Sequence, residues 1–124
     1  MSLISMTMTF INNTGITFTR GEYDLNMKEG TFEPYPPVSI ASHSTVTIIA
    51  VSTSPFTGLE GSVTYHAQYD SNKHDRKMII YFDIPLAGGN TYDVNLYELP
   101  ELTYDVQNIS GYHSYPTVTI KYKN

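Results

Sequence analysis

Apolar and polar residues alternate along much of this chain, and this alternation is the strongest constraint on its fold. The stretch from Val63 to Tyr69 places Val, Tyr, Ala and Tyr at every second position, with Thr, His and Gln between them. Successive side chains of a β-strand point to opposite faces, so a period of two is typical of a half-buried strand. No window of a dozen residues has the spacing of an amphipathic helix. We therefore expect strands and no long helix.

A second signal is the apolar block near the middle of the chain. Residues 78–84 are rich in Ile, Tyr and Phe, which fit a pleated, half-buried surface. The run stops at Pro85, which cannot donate to a sheet ladder. Gly88 and Gly89 allow a sharp reversal, and the alternation resumes at Tyr92. We predict a strand, a tight loop and a second strand at the centre of one sheet.

Further strands are predicted on either side of this unit, separated by segments rich in Gly, Pro, Ser and Asn. Their ranges are 3–11, 16–19, 23–27, 38–40, 45–51, 63–69, 102–106 and 117–122. Residues 52–61 are predicted as a long polar loop, and residues 70–73 as a hairpin loop. Many short strands at such spacing favour an all-β fold. We predict one domain over residues 1–124, an antiparallel β-sandwich of two sheets with little or no helix.

Charge and composition exclude several classes of protein. The net charge is −5 and the pI is about 5.1, so a basic face for nucleic acid is not expected. The chain has no cysteine, which excludes disulfides and thiol chemistry. The start of the sequence has neither a basic segment nor a continuous apolar segment, and Ser and Thr interrupt it at alternate positions. We expect synthesis in the cytoplasm without a signal peptide.

No catalytic or metal-binding pattern stands out. The histidines are scattered, and no Gly-x-Ser-x-Gly nucleophile motif is present. The acidic segment Asp70–Asp75 lacks the Gly and the final Glu of a calcium loop, and we interpret it as a solvated hairpin. We expect no enzymatic activity, no cofactor and no metal site.

The segment Tyr81–Tyr92, with the sequence YFDIPLAGGNTY, resembles a motif of the aegerolysin family, which includes bacterial crystal and insecticidal proteins. Three other pieces follow the order of that family. They are Asn12–Gly15, then Gly30–Phe32 followed by Pro36–Ile40, and Gly58–Tyr65 with its Gly-x-x-Gly start. The resemblance implies a two-sheet sandwich that binds membrane lipids, commonly sphingolipid headgroups or sphingolipid–sterol domains. It also implies pairing with a larger pore-forming partner.

The chain departs from the family pattern in its aromatic residues. Members often carry tryptophan on the loops that face lipid, whereas this sequence has none. Phe32, Phe82, Leu86 and Tyr92 stand where tryptophan is frequent. Thr57 stands where some members have an acidic residue just before the Gly-x-x-Gly segment. These departures bear on which lipid would be recognised.

Candidate lipid- or ligand-binding residues come from this comparison and from apolar side chains in predicted loops. They are Phe32, Tyr35, Phe56, Phe82, Asp83, Leu86 and Tyr92. Leu59 also falls in a predicted loop. Aromatic side chains can sit at a membrane interface, but strand tyrosines also pack on sheet faces. Asp83 is either a headgroup ligand or a cap of the Gly88–Gly89 turn.

The leading hypothesis is a lipid-binding protein of the haemolysin or cytolysin type, acting at a target membrane after release or deposition. Its partners would be membrane lipid in sphingolipid- or sterol-rich domains and a larger pore-forming protein. One alternative is a lectin-like module in which Tyr and Phe stack on sugars. Another is a crystal-forming or structural protein that self-associates. The sequence leaves these alternatives open.

Overall fold

Twelve strands lie within residues 3–68 and 75–124, the part of the chain that the computed structural model describes. Within these residues there is no α-helix, and hence none long and apolar enough to cross a bilayer. The strands are β1 (Ser5–Asn13), β2 (Phe18–Thr19), β3 (Leu25–Glu29), β4 (Thr31–Phe32), β5 (Ser39–Ile40), β6 (Ser44–Val51), β7 (Leu59–Ala67), β8 (Lys77–Ile84), β9 (Thr91–Tyr97), β10 (Leu102–Gln107), β11 (His113–Ser114) and β12 (Thr117–Tyr122).

The strands form two sheets that pack as a sandwich, as predicted. The first sheet has the order β10-β12-β1-β6-β4, with β11 also beside β1. The second has the order β5-β2-β7-β8-β9, with β3 also beside β7. The predicted antiparallel pairing holds throughout the second sheet, whereas in the first sheet β11 and β12 both run parallel to β1. The first sheet is therefore mixed.

Apolar residues at alternate positions in the sequence are the buried residues of the strands. In β1, Met6, Met8 and Phe10 are fully buried, and the residues between them are half-buried. In β8, Ile80 and Phe82 face the core. The buried side chains of the two sheets form one hydrophobic cluster. Burial of each large side chain contributes about 1.5–3 kcal/mol, so this shared cluster holds the sheets together.

Two glycines of the family-like motifs are required by close packing. A Cβ atom on Gly30 would lie 2.5 Å from Leu59 Cδ1 and 2.7 Å from Val51 O, and Gly30 has a φ of 98°. A Cβ atom on Gly61 would lie 2.5 Å from Met27 Sδ. Such distances are far inside van der Waals contact. The glycines let β3 and the start of β4 approach β6 and β7.

The Asn-Asn-Thr-Gly segment after β1 is a hydrogen-bonded turn. Asn12 is 1% exposed. Its Nδ2 donates to Ile16 O at 2.8 Å and to Ala41 O at 3.0 Å. Its Oδ1 accepts from Thr14 N at 3.2 Å and from Thr14 Oγ1 at 2.6 Å. One buried amide thus satisfies four bonds and fixes the exit of β1.

Some boundaries differ from those predicted. Leu59 was predicted in the loop 52–61, but it begins β7 and is fully buried. The two-residue strands β4 and β11 were not predicted. The predicted end of a strand at Tyr69 and the hairpin loop Asp70–Lys73 lie outside the described residues.

Candidate functional site

Four chain segments meet at one end of the sandwich, which is termed the loop end. They are residues 3–4 and the loops 52–58, 85–90 and 108–112. The backbone of Ile4 pairs with Ser52, through Ser52 N to Ile4 O at 2.8 Å and Ile4 N to Ser52 Oγ at 3.0 Å. Ser5 N donates to Tyr112 O at 2.9 Å. The ends of strands from both sheets therefore present their loops on one surface.

Side-chain hydrogen bonds tie two of these loops together. Asn90 Nδ2 donates to Ile109 O at 2.6 Å and to Gly111 O at 2.9 Å. The Tyr112 hydroxyl donates to Leu86 O. Between the loops is a cavity of about 300 Å³, lined by Gly88, Gly89, Asn90, Ser110, Gly111 and Tyr112. Three of the six lining residues are glycines, and Asn90 and Ser110 contribute small polar side chains.

Large apolar side chains project from the loop end into solvent. Phe56 is 74% exposed and Tyr112 is 56% exposed. Leu86, Ile109 and Leu3 are each between 40% and 44% exposed. The three loops contain no charged residue. These five side chains are termed the apolar rim, and an uncharged apolar rim of this kind typically marks an interaction surface.

The loop that carries Phe56 is shaped by its own hydrogen bonds. Phe56 N donates to Ser54 Oγ at 3.1 Å, and Thr57 N donates to Ser54 O at 3.4 Å. Gly58 lies against Pro85, because a Cβ atom there would be 3.3 Å from Pro85 Cα. The Phe56 loop therefore stands directly beside the Leu86 loop.

Of the predicted site residues, Phe56 and Leu86 belong to the apolar rim, whereas Phe32 and Phe82 do not. Phe32 is 5% exposed and Phe82 is fully buried. Their rings pack edge to face between the sheets. In this conformation neither ring reaches a ligand at the loop end.

Tyr92 and Tyr35 occupy two other environments. Tyr92 is half-buried, and its hydroxyl donates to Ser114 Oγ at 2.7 Å. Burial raises the pKa of the Tyr92 hydroxyl to about 12, so it stays protonated at neutral pH. Tyr35 is exposed in the segment between β4 and β5, where it lines a different cleft with Tyr23.

Asp83 lies in a row of carboxylates on the outer face of the second sheet. Glu29 is opposite Glu60, and Glu60 is opposite Asp83. The Tyr81 hydroxyl donates to Glu60 Oε2 at 2.6 Å, which raises the pKa of Tyr81 to about 12. Burial first, and then the charges of Glu60 and Glu29, raise the pKa of Asp83. Among the described residues no hydrogen bond joins Asp83 to the Gly88–Gly89 turn, so the predicted cap is not formed.

No set of three or more His, Asp or Glu side chains in residues 3–68 and 75–124 is placed to hold a metal ion. His66 lies far from the loop end, near the start of β8, with its ring between two carboxylates. Its Nε2 is 3.2 Å from Asp24 Oδ2, and its Nδ1 is 3.0 Å from Asp75 Oδ1.

No protein-family model and no curated protein sequence matches this chain. A solved structure does match it, that of IP-1A from Alcaligenes faecalis. The superposition covers 98% of this chain and 92% of that chain, with a TM-score of 0.64 and 16% sequence identity. The two chains share their fold. At this identity the likeness to IP-1A concerns the fold alone.

Leu3, Ile109 and Tyr112 complete the apolar rim but were not predicted as site residues. The pair Ser110-Gly111 is typical of a turn. An apolar residue beside a turn is common, so Ile109 and Tyr112 did not indicate a binding site by themselves. The sequence feature that these residues share is the absence of charge from all three loops. This feature indicates a binding surface only once the loops are known to lie at one end of the fold.

Proposed function

We propose that this chain is a membrane-lipid-binding protein of the toxin or cytolysin type, related to the aegerolysins, which contacts the bilayer with its apolar rim. The observation that carries the proposal is the apolar rim itself. Five large apolar side chains stand exposed at one end of the sandwich, on segments whose three loops carry no charge. A membrane interface accepts apolar and tyrosyl side chains at this depth and disfavours charge.

The physical chemistry of the rim supports shallow and reversible attachment. The net charge of −5 gives no general attraction to anionic lipid. A fully buried large side chain contributes about 1.5–3 kcal/mol, and partial insertion contributes less. A few such side chains offset the entropy of association only in part. Tyr112 is suited to the headgroup region, since its ring is apolar and its hydroxyl is polar.

The cavity between the two tied loops is proposed to receive the lipid headgroup. Its volume of about 300 Å³ is at the lower end of the range for small-ligand sites. Its backbone groups and the Ser110 hydroxyl can hydrogen-bond a polar headgroup while the rim contacts the acyl region. The Tyr112 hydroxyl, which donates to Leu86 O, can accept a further hydrogen bond from the headgroup. A sphingolipid presents amide and hydroxyl groups at this depth, which suits such a lining. No catalytic step is invoked, so the proposed role is binding rather than enzymatic.

Toxin-type activity and a partner are proposed together, and both come from the resemblance to the aegerolysins. The fold shared with IP-1A is compatible with this role but does not itself indicate it. Reversible rim binding would not by itself open a membrane. We therefore propose that a larger pore-forming protein is recruited after this chain, released or deposited, has bound its target membrane.

Vesicle co-sedimentation tests the lipid-binding proposal. The panel should contain sphingomyelin, ceramide phosphoethanolamine and phosphatidylcholine, each with and without sterol. We expect retention on at least one sphingolipid mixture. Replacing both Phe56 and Leu86 with Ser should remove most of it. Tyr97→Ser is the matched control, because Tyr97 is 49% exposed but lies at the opposite end of β9.

Two results would overturn the proposal. One is the absence of retention on every mixture. The other is retention that the Phe56 and Leu86 double variant leaves unchanged.

A further inference from the structure

A second cleft lies along the side of the sandwich, where β3 of one sheet and β4 of the other are neighbours. Its volume is about 470 Å³, which is well within the range of small-ligand sites. None of its lining residues belongs to the three loops of the apolar rim. It is therefore a separate surface from the one proposed to contact lipid.

Two tyrosines on different chain segments line this cleft. Tyr23 lies in the turn before β3 and is 91% exposed, the highest value among the large apolar and aromatic side chains of the described residues. Tyr35 lies between β4 and β5 and is 72% exposed. Phe32 contributes to the floor. Two exposed aromatic rings above one concave surface offer a large, rigid contact area, and a tyrosine side chain loses little conformational entropy on binding.

The segments that carry the two tyrosines are held to each other. Arg20 N donates to Val38 O at 2.9 Å, and Arg20 Nε donates to Pro36 O at 3.0 Å. The Tyr65 hydroxyl, from the buried core, donates to Pro37 O. These bonds fix the Tyr35 segment from one side.

The Tyr23 turn is closed by its own contacts. Gly21 N donates to Asp24 Oδ2 at 2.7 Å, and Asp24 N donates to Gly21 O at 3.4 Å. Arg20 immediately precedes this turn and reaches across to the Tyr35 segment. The cleft is therefore built before any ligand arrives, which lowers the entropy lost on binding.

The charges of the lining point to a neutral ligand. Arg20 and Glu22 have opposite charges, so their net contribution is zero, and Thr31 adds a hydroxyl. The remaining walls are aromatic and aliphatic, with Leu25 and Met27 among them. Such a lining suits a molecule with one apolar face and a rim of hydroxyl groups. A pyranose ring has this distribution, with C–H bonds on its face and hydroxyls at its edge.

We infer that the Tyr23–Tyr35 cleft is a carbohydrate-binding site. A sugar face would stack on one or both tyrosine rings. Its hydroxyls would hydrogen-bond Glu22, Thr31 and the free N–H groups of Arg20. The inference does not depend on the lipid-binding proposal, because the two surfaces share no lining residue.

A printed array of glycans on lipid-free linkers is the first test, followed by titration of the best free oligosaccharide in solution. We expect binding to at least one glycan and competition by the free sugar. Tyr23→Ala and Tyr35→Ala should each weaken binding about tenfold or more, whereas Tyr35→Phe should retain most of it. Tyr115→Ala is the control, since Tyr115 is 63% exposed and does not line the cleft.

Thermal unfolding of each variant checks that it is folded. Glu22→Ala offers a second route that leaves both rings in place, and it should also weaken binding. Phe56→Ser should leave glycan binding unchanged, so failure of the lipid proposal and failure of this one are distinguishable. Absence of binding to every glycan, or equal binding by the tyrosine and Glu22 variants and the wild type, would overturn the inference.

Discussion

Phe32 and Phe82 pack edge to face across the interior of the sandwich, with ring centroids 5.8 Å apart and ring planes inclined by 74°. Phe32 belongs to β4 of the first sheet and Phe82 to β8 of the second. The sequence resemblance suggested that both stand where lipid-facing tryptophans are frequent. Their burial gives them a structural role, because the pair joins the two sheets beside the edge that carries the cleft.

Truncation of this pair should measure how strongly the sheets depend on it. We expect Phe82→Ala to lower the free energy of unfolding by about 3–5 kcal/mol, because a fully buried ring leaves a cavity. Phe82→Leu should cost less. In a double-mutant cycle with Phe32→Leu, measured by denaturant unfolding, the coupling should be about 0.5–1.5 kcal/mol. Strictly additive effects would show that the rings do not interact.

Gly30 offers a test of the close approach between β3, β4 and β7. Gly30→Ala should destabilise the fold by more than about 1 kcal/mol, because φ is 98° and the new Cβ would meet Leu59 Cδ1 and Val51 O. Gly89→Ala is the control, since nothing lies within 4 Å of its Cβ position. Equal melting temperatures for the two variants would contradict this account.

Period-two alternation predicted the strands well because it reports burial on one side of a sheet. From Met6 to Phe10 in β1 and from Val63 to Ala67 in β7, the apolar residues are buried and the polar residues between them are half-buried. Leu59 was misplaced because the Gly58 and Gly61 that flank it resemble loop punctuation. Gly61 lies inside β7, where a larger residue would clash with Met27 Sδ.

Contacts between distant segments could not be predicted from local patterns. The parallel pairing of β11 and β12 with β1 joins the two ends of the chain, and no local spacing encodes it. The same holds for the apolar rim, where hydrogen bonds from Asn90 and Tyr112 join the loop of Leu86 to the loop of Ile109. Phe32 and Phe82 were predicted as lipid-binding from motif position alone, and both are buried, whereas Phe56 and Leu86, which lie in predicted loops, are exposed.

Asp83 should make stability depend on pH in a definite direction. Its folded-state pKa is raised above the ordinary 3.8, so the native state holds its proton more tightly than the unfolded chain does. Stability is therefore lost as pH rises from 3.8 through the folded pKa of Asp83. Asp83→Asn should raise the melting temperature by a few degrees at pH 7 and leave it nearly unchanged at pH 3.

Calorimetry of the wild type and Asp83→Asn at both pH values is the measurement. Glu22→Gln removes the same charge from an exposed turn and serves as the control. A variant that is less stable than the wild type at pH 7 would show that Asp83 is favourably placed, contrary to the repulsion expected from Glu60 and Glu29.

Asn90 should control membrane binding without belonging to the apolar rim, because it holds the rim loops together. Its Nδ2 donates to Ile109 O and Gly111 O. Asn90→Asp keeps the shape of the side chain but removes both donors and sets a carboxylate against two carbonyl oxygens, which releases the loop 108–112 from the Leu86 loop. We expect retention on sphingolipid vesicles to fall severalfold while the melting temperature changes little, since Asn90 lies outside the buried core. Asn95→Asp adds the same charge on exposed β9 and should bind as the wild type does. If both variants bind equally well, the order of the rim loops has no part in membrane recognition.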